Sequence, residues 1–275
     1  MLTQVEKGRT FRALHERHRA FIIPNPWDVG SAQILAGLGF QALATTSSGY
    51  AFAQGRKDGA NDVSFNESLE YAGSIARVTD LPVTADFEDC YAKTPDGIAD
   101  VVRLAAEAGL AGISIEDRNP DGPEPIRAYD DAVARVAAAV EAARRFDIVL
   151  TARADGMGKD VYDLGEAIRR LRKFEELGAE VVYAPGPRDL VSLRRICESV
   201  RAPVNHVLGQ GVSGLSFKQI ADAGVRRVSL GGSLARAAGG ALVQIGRGIA
   251  AGDFATLDAA PGWSAMRNSV ARKGR

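Results

Sequence analysis

The sequence predicts a (β/α)8 barrel of the TIM type, and three observations carry that expectation. Eight short apolar runs alternate with amphipathic stretches from end to end, as repeated βα units on a parallel sheet require. Several helical stretches close on a glycine just before the next run, at Gly39, Gly109, Gly178 and Gly224, where only a residue without Cβ adopts the left-handed cap cheaply. The polar residues of four runs share one parity and gather toward the carboxyl ends, the end at which such barrels keep their active sites. An open, doubly wound sheet is the alternative that the same alternation would build.

In order, the strand candidates are residues 20–23, 42–46, 82–86, 112–116, 148–153, 180–184, 203–207 and 227–230. Helices are expected over 29–38, 65–79, 98–108, 130–146, 164–177, 190–200 and 217–223. Side chains alternate between the faces of a strand. One parity carries Ala42, Ala44, Thr46 and Ser48; Thr84, Asp86 and Glu88; Ser114 and Glu116; Val149, Thr151 and Arg153. That face is small below and functional at the rim, as the inside of a barrel should be. The other parity is bulky, with Val83, Phe87, Ile113, Ile115, Ile148 and Leu150 set to meet the helix layer.

The chain has 275 residues, 46% of them hydrophobic, and no Pro/Gly/Ser-rich linker divides it. We expect one domain over 1–275, with 250–275 as a C-terminal helical extension. Lys plus Arg equal Asp plus Glu at 34 each, so the basic excess that nucleic-acid backbones require is missing. The opening twenty residues are charged throughout and no charge-free apolar stretch could span a bilayer, so the expected location is cytoplasmic, without membrane contact. Cys90 and Cys197 read as free thiols, Cys197 as helix packing.

Two acidic clusters end consecutive strands, in Pro-Val-Thr-Ala-Asp86-Phe-Glu88-Asp89 and Gly-Ile-Ser-Ile-Glu116-Asp117. Three carboxylates converging there repel unless a cation neutralises them or one is protonated. Oxygen ligands without His or Cys favour Mg2+, with Mn2+ the alternative. Two residues along a strand advance about 6.6 Å, so Asp86 and Glu88 do not both bind one ion easily. Asp86 is the expected direct ligand, with Glu88 and Glu116 on its water shell; Asp89 and Asp117, on the other parity, read as surface carboxylates capping the following helices. Ser48-Gly49 ends the second strand in a turn able to aim N–H groups at a carboxylate. Arg153 is either a bidentate substrate clamp or an ion-pair partner of Asp155 or a site carboxylate. The Gly209-x-Gly211-x-x-Gly214 stretch lacks the acidic residue of a dinucleotide site after the next strand. With Gly231, Gly232 and Ser233 it could instead cradle a phosphate. His206 is a candidate proton carrier.

These residues resemble the isocitrate lyase and phosphoenolpyruvate mutase superfamily. The likeness runs through Pro24-Asn-Pro-Trp-Asp28, Ser48-Gly49, Asp58, Ala85-Asp86-Phe-Glu88, Ile115-Glu116-Asp117, Ala152-Arg153 and Val228-Ser-Leu-Gly231. It implies a Mg2+-dependent α/β barrel that makes or breaks C–C or P–C bonds beside a 2-oxo acid, commonly through an enolate. It also implies a homo-oligomer, a dimer of dimers whose C-terminal helices swap; the apolar tail 254–270, with Trp263 and Met266, suits a helix docking on a partner. By the same resemblance Asp86 is the direct metal ligand, and Glu88, Glu116 and Asp58 hold metal-bound water. Trp27, Ser48, Gly49, Tyr50, Arg153 and Asn205 are the expected substrate-binding residues, and Tyr50, Arg153 and His206 the expected catalytic ones.

Two departures bear on the reaction. Most members carry Asp-Ala-Asp-x-Gly-Tyr-Gly where this chain has Asp86-Phe-Glu-Asp-Cys-Tyr; a glutamate still reaches a bound water. The lyases place a proton-donating cysteine in a Lys-Lys/Arg-Cys-Gly/Ser-His/Cys loop after the fourth strand, and here residues 118–125 contain neither thiol nor histidine. The mutases' gating loop is not recognisable either. The expected activity is therefore a Mg2+-dependent lyase or hydrolase cleaving a C–C bond in a small 2-oxo or 2-hydroxy acid, oxaloacetate- or methylisocitrate-like. The alternatives are a phosphonopyruvate-type P–C enzyme, an enzyme of a phosphorylated substrate, and a non-catalytic 2-oxo acid binding protein. Tyr50, His206 and Glu124 are the candidate general acids or bases.

Overall fold

The computed structural model describes residues 2–17, 19–59, 62–187, 189–209 and 214–270. Helix α1 (Gln4–Glu16) leads into β1 (Phe21–Ile23) and α2 (Val29–Gly37). Strand β2 (Leu43–Ala44) is followed by α3 (Ser47–Ala53) and α4 (Phe65–Arg77), β3 (Val83–Asp86) by α5 (Pro95–Glu107), and β4 (Gly112–Glu116) by α6 (Tyr129–Phe146). After β5 (Val149–Arg153) come a 3-10 turn (Gly156–Lys159) and α7 (Leu164–Leu177). Then follow β6 (Val181–Tyr183), α8 (Leu190–Ser199), β7 (Val204–Val207), α9 (Phe217–Asp222), β8 (Arg227–Ser229) and α10 (Ser233–Ala250). A 3-10 segment (Phe254–Ala259) and α11 (Trp263–Ser269) end the described chain.

All eight expected strands form, and each pairs in parallel with its neighbour in sequence from β2 through β8, with β8 returning to β1. That cyclic order is a barrel; the strand-order reversal of a doubly wound sheet is absent among the described residues. The seam between β1 and β2 is thin. Pro24 and Pro26 have no N–H to give to a ladder, and closure rests on the Ala44 N–H to Pro24 O bond (3.1 Å) and the Asn25 Nδ2 to Thr45 O bond (2.9 Å). The glycine caps also form: Gly39, Gly109, Gly178 and Gly224 have φ of 86°, 86°, 108° and 105°.

The two parities separate as expected. Val83, Phe87, Ile113, Ile115, Ile148 and Leu150 join Ile75, Ile98, Val136 and Phe174 in the core between strands and helices. Inside the barrel Phe21, Ile23, Ala42, Val149 and Val181 pack on Phe11 and Leu14 of α1. Helix α1 therefore plugs the amino-terminal end of the barrel, a role that its charged sequence concealed. A Thr3/Glu6 capping box starts it, and the buried Lys7 ammonium donates to Ala76 O and Thr79 O at 2.8 Å each. Residues 47–53, expected as an open turn, are the helix α3, capped by Thr46 Oγ1 accepting from Gly49 N–H (3.2 Å). No described helix is long and apolar enough to cross a membrane.

Candidate active site

A cavity of about 240 Å³ opens at the carboxyl ends of the strands. It has room for a small acid. Asp86, the last residue of β3, is fixed from three sides. Ser47 donates to its Oδ2 through N–H (3.2 Å) and Oγ (3.0 Å), while Ser114 Oγ (3.2 Å) and Arg153 Nη1 (3.0 Å) donate to its Oδ1.

Arg153 is the hub. Its Nη1 also lies 2.8 Å from Glu116 Oε1, its Nε and Nη2 grip Asp155 at 3.1 and 2.8 Å, and its guanidinium carbon stands 4.8 Å over the Tyr183 ring. Burial alone would lower its pKa, but Asp155, Glu116 and Asp86 prevail and hold it well above the ordinary range. Of the two readings of Arg153, the ion pair is the one present: its bidentate edge is taken by Asp155.

Glu116 is buried, and burial holds its carboxyl well above the usual range although Arg153 opposes the shift. Its Oε2 is sequestered without a hydrogen-bond partner, with Arg118 Nε 3.8 Å away. Glu88 does not line the cavity. It lies beside it at φ +46°, accepts from Tyr91 OH (3.1 Å), and is pushed up to about 7 by burial and then by Asp86 and Asp58. Asp58 lines the cavity from the loop after α3, exposed on its outer side; the protein packed around it and then Asp86 raise its carboxyl above the usual range. The four expected metal residues thus face one region, but among the described residues no group of three or more His, Cys, Asp or Glu is close enough to hold one ion. Arg153 and Arg118 stand between the carboxylates.

The structure distributes the other expected residues unevenly. Ser48 and Asn205 line the cavity, Ser48 Oγ lying 3.1 Å from Thr46 Oγ1. Gly49 packs back against Trp27: a Cβ there would stand 2.6 Å from Thr46 Cγ2 and 3.3 Å from Trp27 Cβ. Trp27 is therefore behind the wall. Tyr50 stacks on Tyr71 (4.2 Å, 6°) and does not line the cavity. His206 is also outside it. It has the parity opposite to Asn205, is 2% exposed with neither ring nitrogen hydrogen-bonded, and burial depresses it to about 4. A proton carrier at neutral pH needs access and a pKa nearer 7, and His206 has neither. Glu124 lies on a separate surface groove. In the glycine-rich stretch residues 210–213, including Gly211, lie outside the described residues; Ser233 Oγ donates to Leu208 O (3.2 Å). Asp89 and Asp117 stay out of the cavity, but they are not the surface helix caps expected: both are buried and paired with Arg127 and Arg170 at 2.8 and 2.9 Å.

Among the lining residues that were not foreseen, Arg118, Lys159, Tyr183 and Arg227 bear on the chemistry. Inward parity would have found Tyr183 and Arg227, because each shares a face with a residue expected to point inward on a neighbouring strand. Arg118 and Lys159 come from loops, where parity has no meaning.

A TIM-type barrel with a cavity of facing acids and arginines at its strand ends has the layout of barrel enzymes, and sequence relationships narrow it. Residues 11–250 match the family model described as phosphoenolpyruvate phosphomutase, and the chain belongs to that family, within the phosphoenolpyruvate mutase and isocitrate lyase superfamily. An oxaloacetate decarboxylase of Ectopseudomonas mendocina is 30% identical over 72% of this chain and 69% of its own. The 2-methylisocitrate lyase of Escherichia coli is 27% identical over 72% and 68%. Among solved structures, a Burkholderia cenocepacia protein described as a lyase or mutase is 42% identical, with a TM-score of 0.92 over 96% of this chain and 95% of its own.

Proposed function

We propose that this chain cleaves a C–C bond in a small 2-oxo or 2-hydroxy carboxylic acid, with Mg2+ as cofactor. The observation that carries the reading is the Asp86–Arg153–Glu116 constellation in a cavity sized for such an acid. The donor set fits a hydrated hard cation. Asp86 offers an oxygen in the cavity wall, and Glu116 Oε2 is a buried acceptor lacking the partner that a metal-bound water would supply. Asp86 would hold the ion, with Glu116, Glu88 and Asp58 around its water shell. A bound ion would supply Lewis acidity toward the substrate's carbonyl oxygen.

The chain's own residues do the rest. Ser47 and Ser114 fix the Asp86 carboxylate, so that it does not reorganise as charge develops. Arg153, held by Asp155 and stacked on Tyr183, keeps a positive charge at the cavity centre at any working pH. Arg118 and an antiparallel bridge to Ile126 shape the loop after β4. That loop holds no thiol or imidazole, so the cysteine-dependent route of isocitrate cleavage has no proton donor here. Among the relatives' activities, decarboxylation or hydrolysis of an oxaloacetate-like acid suits this loop best. The family model's own description favours a second reading, P–C chemistry on phosphonopyruvate.

Oxaloacetate, phosphonopyruvate, isocitrate and methylisocitrate assayed side by side separate these. Turnover of oxaloacetate that requires Mg2+, stops on chelation and is lost in Asp86→Ala is the expected result. Undiminished turnover in Asp86→Ala sinks the proposal, and phosphonopyruvate as the sole substrate selects the second reading.

A further inference from the structure

Three arginines of the described chain are buried, and two are matched: Arg170 lies 2.9 Å from Asp117 and Arg135 3.7 Å from Asp89. Arg227 is the exception. It opens β8 on the inward face, is 5% exposed, and lines the deep wall of the active-site cavity. All three of its hydrogen-bond partners are neutral: Nε donates to Asn205 Oδ1 (2.8 Å), Nη2 to Thr151 Oγ1 (3.0 Å), and Nη1 lies 3.3 Å from His15 Nε2. His15 must present a lone pair there, because its Nδ1 contacts Phe11 O at 2.8 Å and so carries the proton. No described Asp or Glu forms an ion pair with Arg227, and the residues outside the described set include neither. A guanidinium has five N–H hydrogens, so two remain beyond these bonds.

Burying an ionised group without a counter-charge costs several kcal/mol, and an arginine does not escape by losing its proton at neutral pH. The surroundings hold the charge in place without neutralising it. Asn205 is itself fixed, its Nδ2 donating to Ser229 Oγ (3.0 Å), and α1 supplies His15 from below. The result is a rigid cation at the inner end of the cavity. At the outer end Asp58, Asp86, Glu116 and Asp155 stand against Arg118, Arg153 and Lys159.

We propose that Arg227, with Thr151 and Ser229 beside it, is an inner anion subsite that takes a second carboxylate of the substrate, so that the acid is a dicarboxylate standing along the barrel axis. The subsite itself rests on Arg227; the assignment of its ligand as the substrate's second carboxylate rests on the function proposed above.

Two measurements test the two parts. Crystals soaked in sodium bromide are expected to show an anomalous peak within contact distance of Arg227, absent in Arg227→Gln; no such peak in the native protein overturns the subsite. Calorimetry in Mg2+ then compares malate with 2-hydroxybutyrate, which replaces the distal carboxylate by a methyl group. The native protein is expected to prefer malate at least tenfold. Arg227→Gln should lose that preference with its 2-hydroxybutyrate affinity unchanged, and Arg227→Lys, which keeps the charge, should retain part of it. Equal discrimination in the native protein and a folded Arg227→Gln overturns the dicarboxylate assignment. Bromide at Arg227 with neither acid bound upholds the subsite and counts against the 2-oxo acid reading instead.

Discussion

At the scale of single residues, the cavity's acids were legible and its imidazole was not. Asp86 and Glu116 could be placed because two-residue alternation and strand ends together specify direction. His206 sits one position from an inward residue, and a lone histidine carries no signal of which face it takes. Its burial makes a prediction. Its folded pKa of about 4 lies below the unfolded value of 6.5, so the unfolded chain binds the extra proton first. The stability this represents is complete above pH 6.5 and is lost as pH falls toward 4, by up to roughly 3 kcal/mol. His206→Leu is expected to flatten that part of the stability–pH profile in urea titrations and to leave turnover at neutral pH intact. Cys90 offers a second case. It is buried at φ +65°, a left-handed conformation that glycine adopts most cheaply. Glycine usually costs about 0.5–1 kcal/mol relative to alanine, but a left-handed conformation penalises any Cβ by about 1–2 kcal/mol. Cys90→Gly should therefore be more stable than Cys90→Ala, by about 1 kcal/mol in chemical denaturation.

Among the elements, all eight strands and the helices between them were legible, because each repeats a short pattern, punctuated after α2, α5, α7 and α9 by a glycine stop. Helices α1 and α3 were not. Helix α1 shows solvent mostly charge and buries only a narrow stripe through Phe11, Leu14 and His15, and its value lies in closing a barrel that the local sequence does not announce. Helix α3 begins in Thr-Ser-Ser-Gly, which reads as a turn until the Thr46 cap is seen. The plug is expected to matter more than its length suggests. Phe11 is fully buried against the inner strand face, so Phe11→Ala should cost about 3–5 kcal/mol in denaturant titrations. It also removes the ring 5.9 Å from the Arg227 guanidinium carbon. A loss below about 1 kcal/mol would show that α1 is an ornament on a self-sufficient barrel.

For the whole molecule, the C-terminal arm leaves Leu242, Val243, Phe254, Leu257, Trp263 and Met266 exposed, Trp263 by 88%. We propose that a second copy covers them. Sedimentation should find an oligomer that the paired change Leu242→Asp and Trp263→Asp dissociates, and a monomeric native protein would refute it. The sequence announced this arm through its composition, whereas Arg118 could not be placed, since it acts from a loop; Arg227 was open to the parity argument through its register with Asn205 but was not read from it. The placement of these cations governs the response to chelation. Because Arg118, Arg153, Lys159 and Arg227 already offset the four acids that line the cavity, removing divalent metal is expected to abolish turnover while lowering the melting temperature only by the small amount that release of a bound ligand implies, unlike sites whose metal drives folding. An active site that carries its own cations to its acids lets the newly made chain mature before any ion arrives. Under the Mg2+ dependence proposed above, loading would come late and reversibly, so activity would follow the metal supply while the amount of folded protein would not.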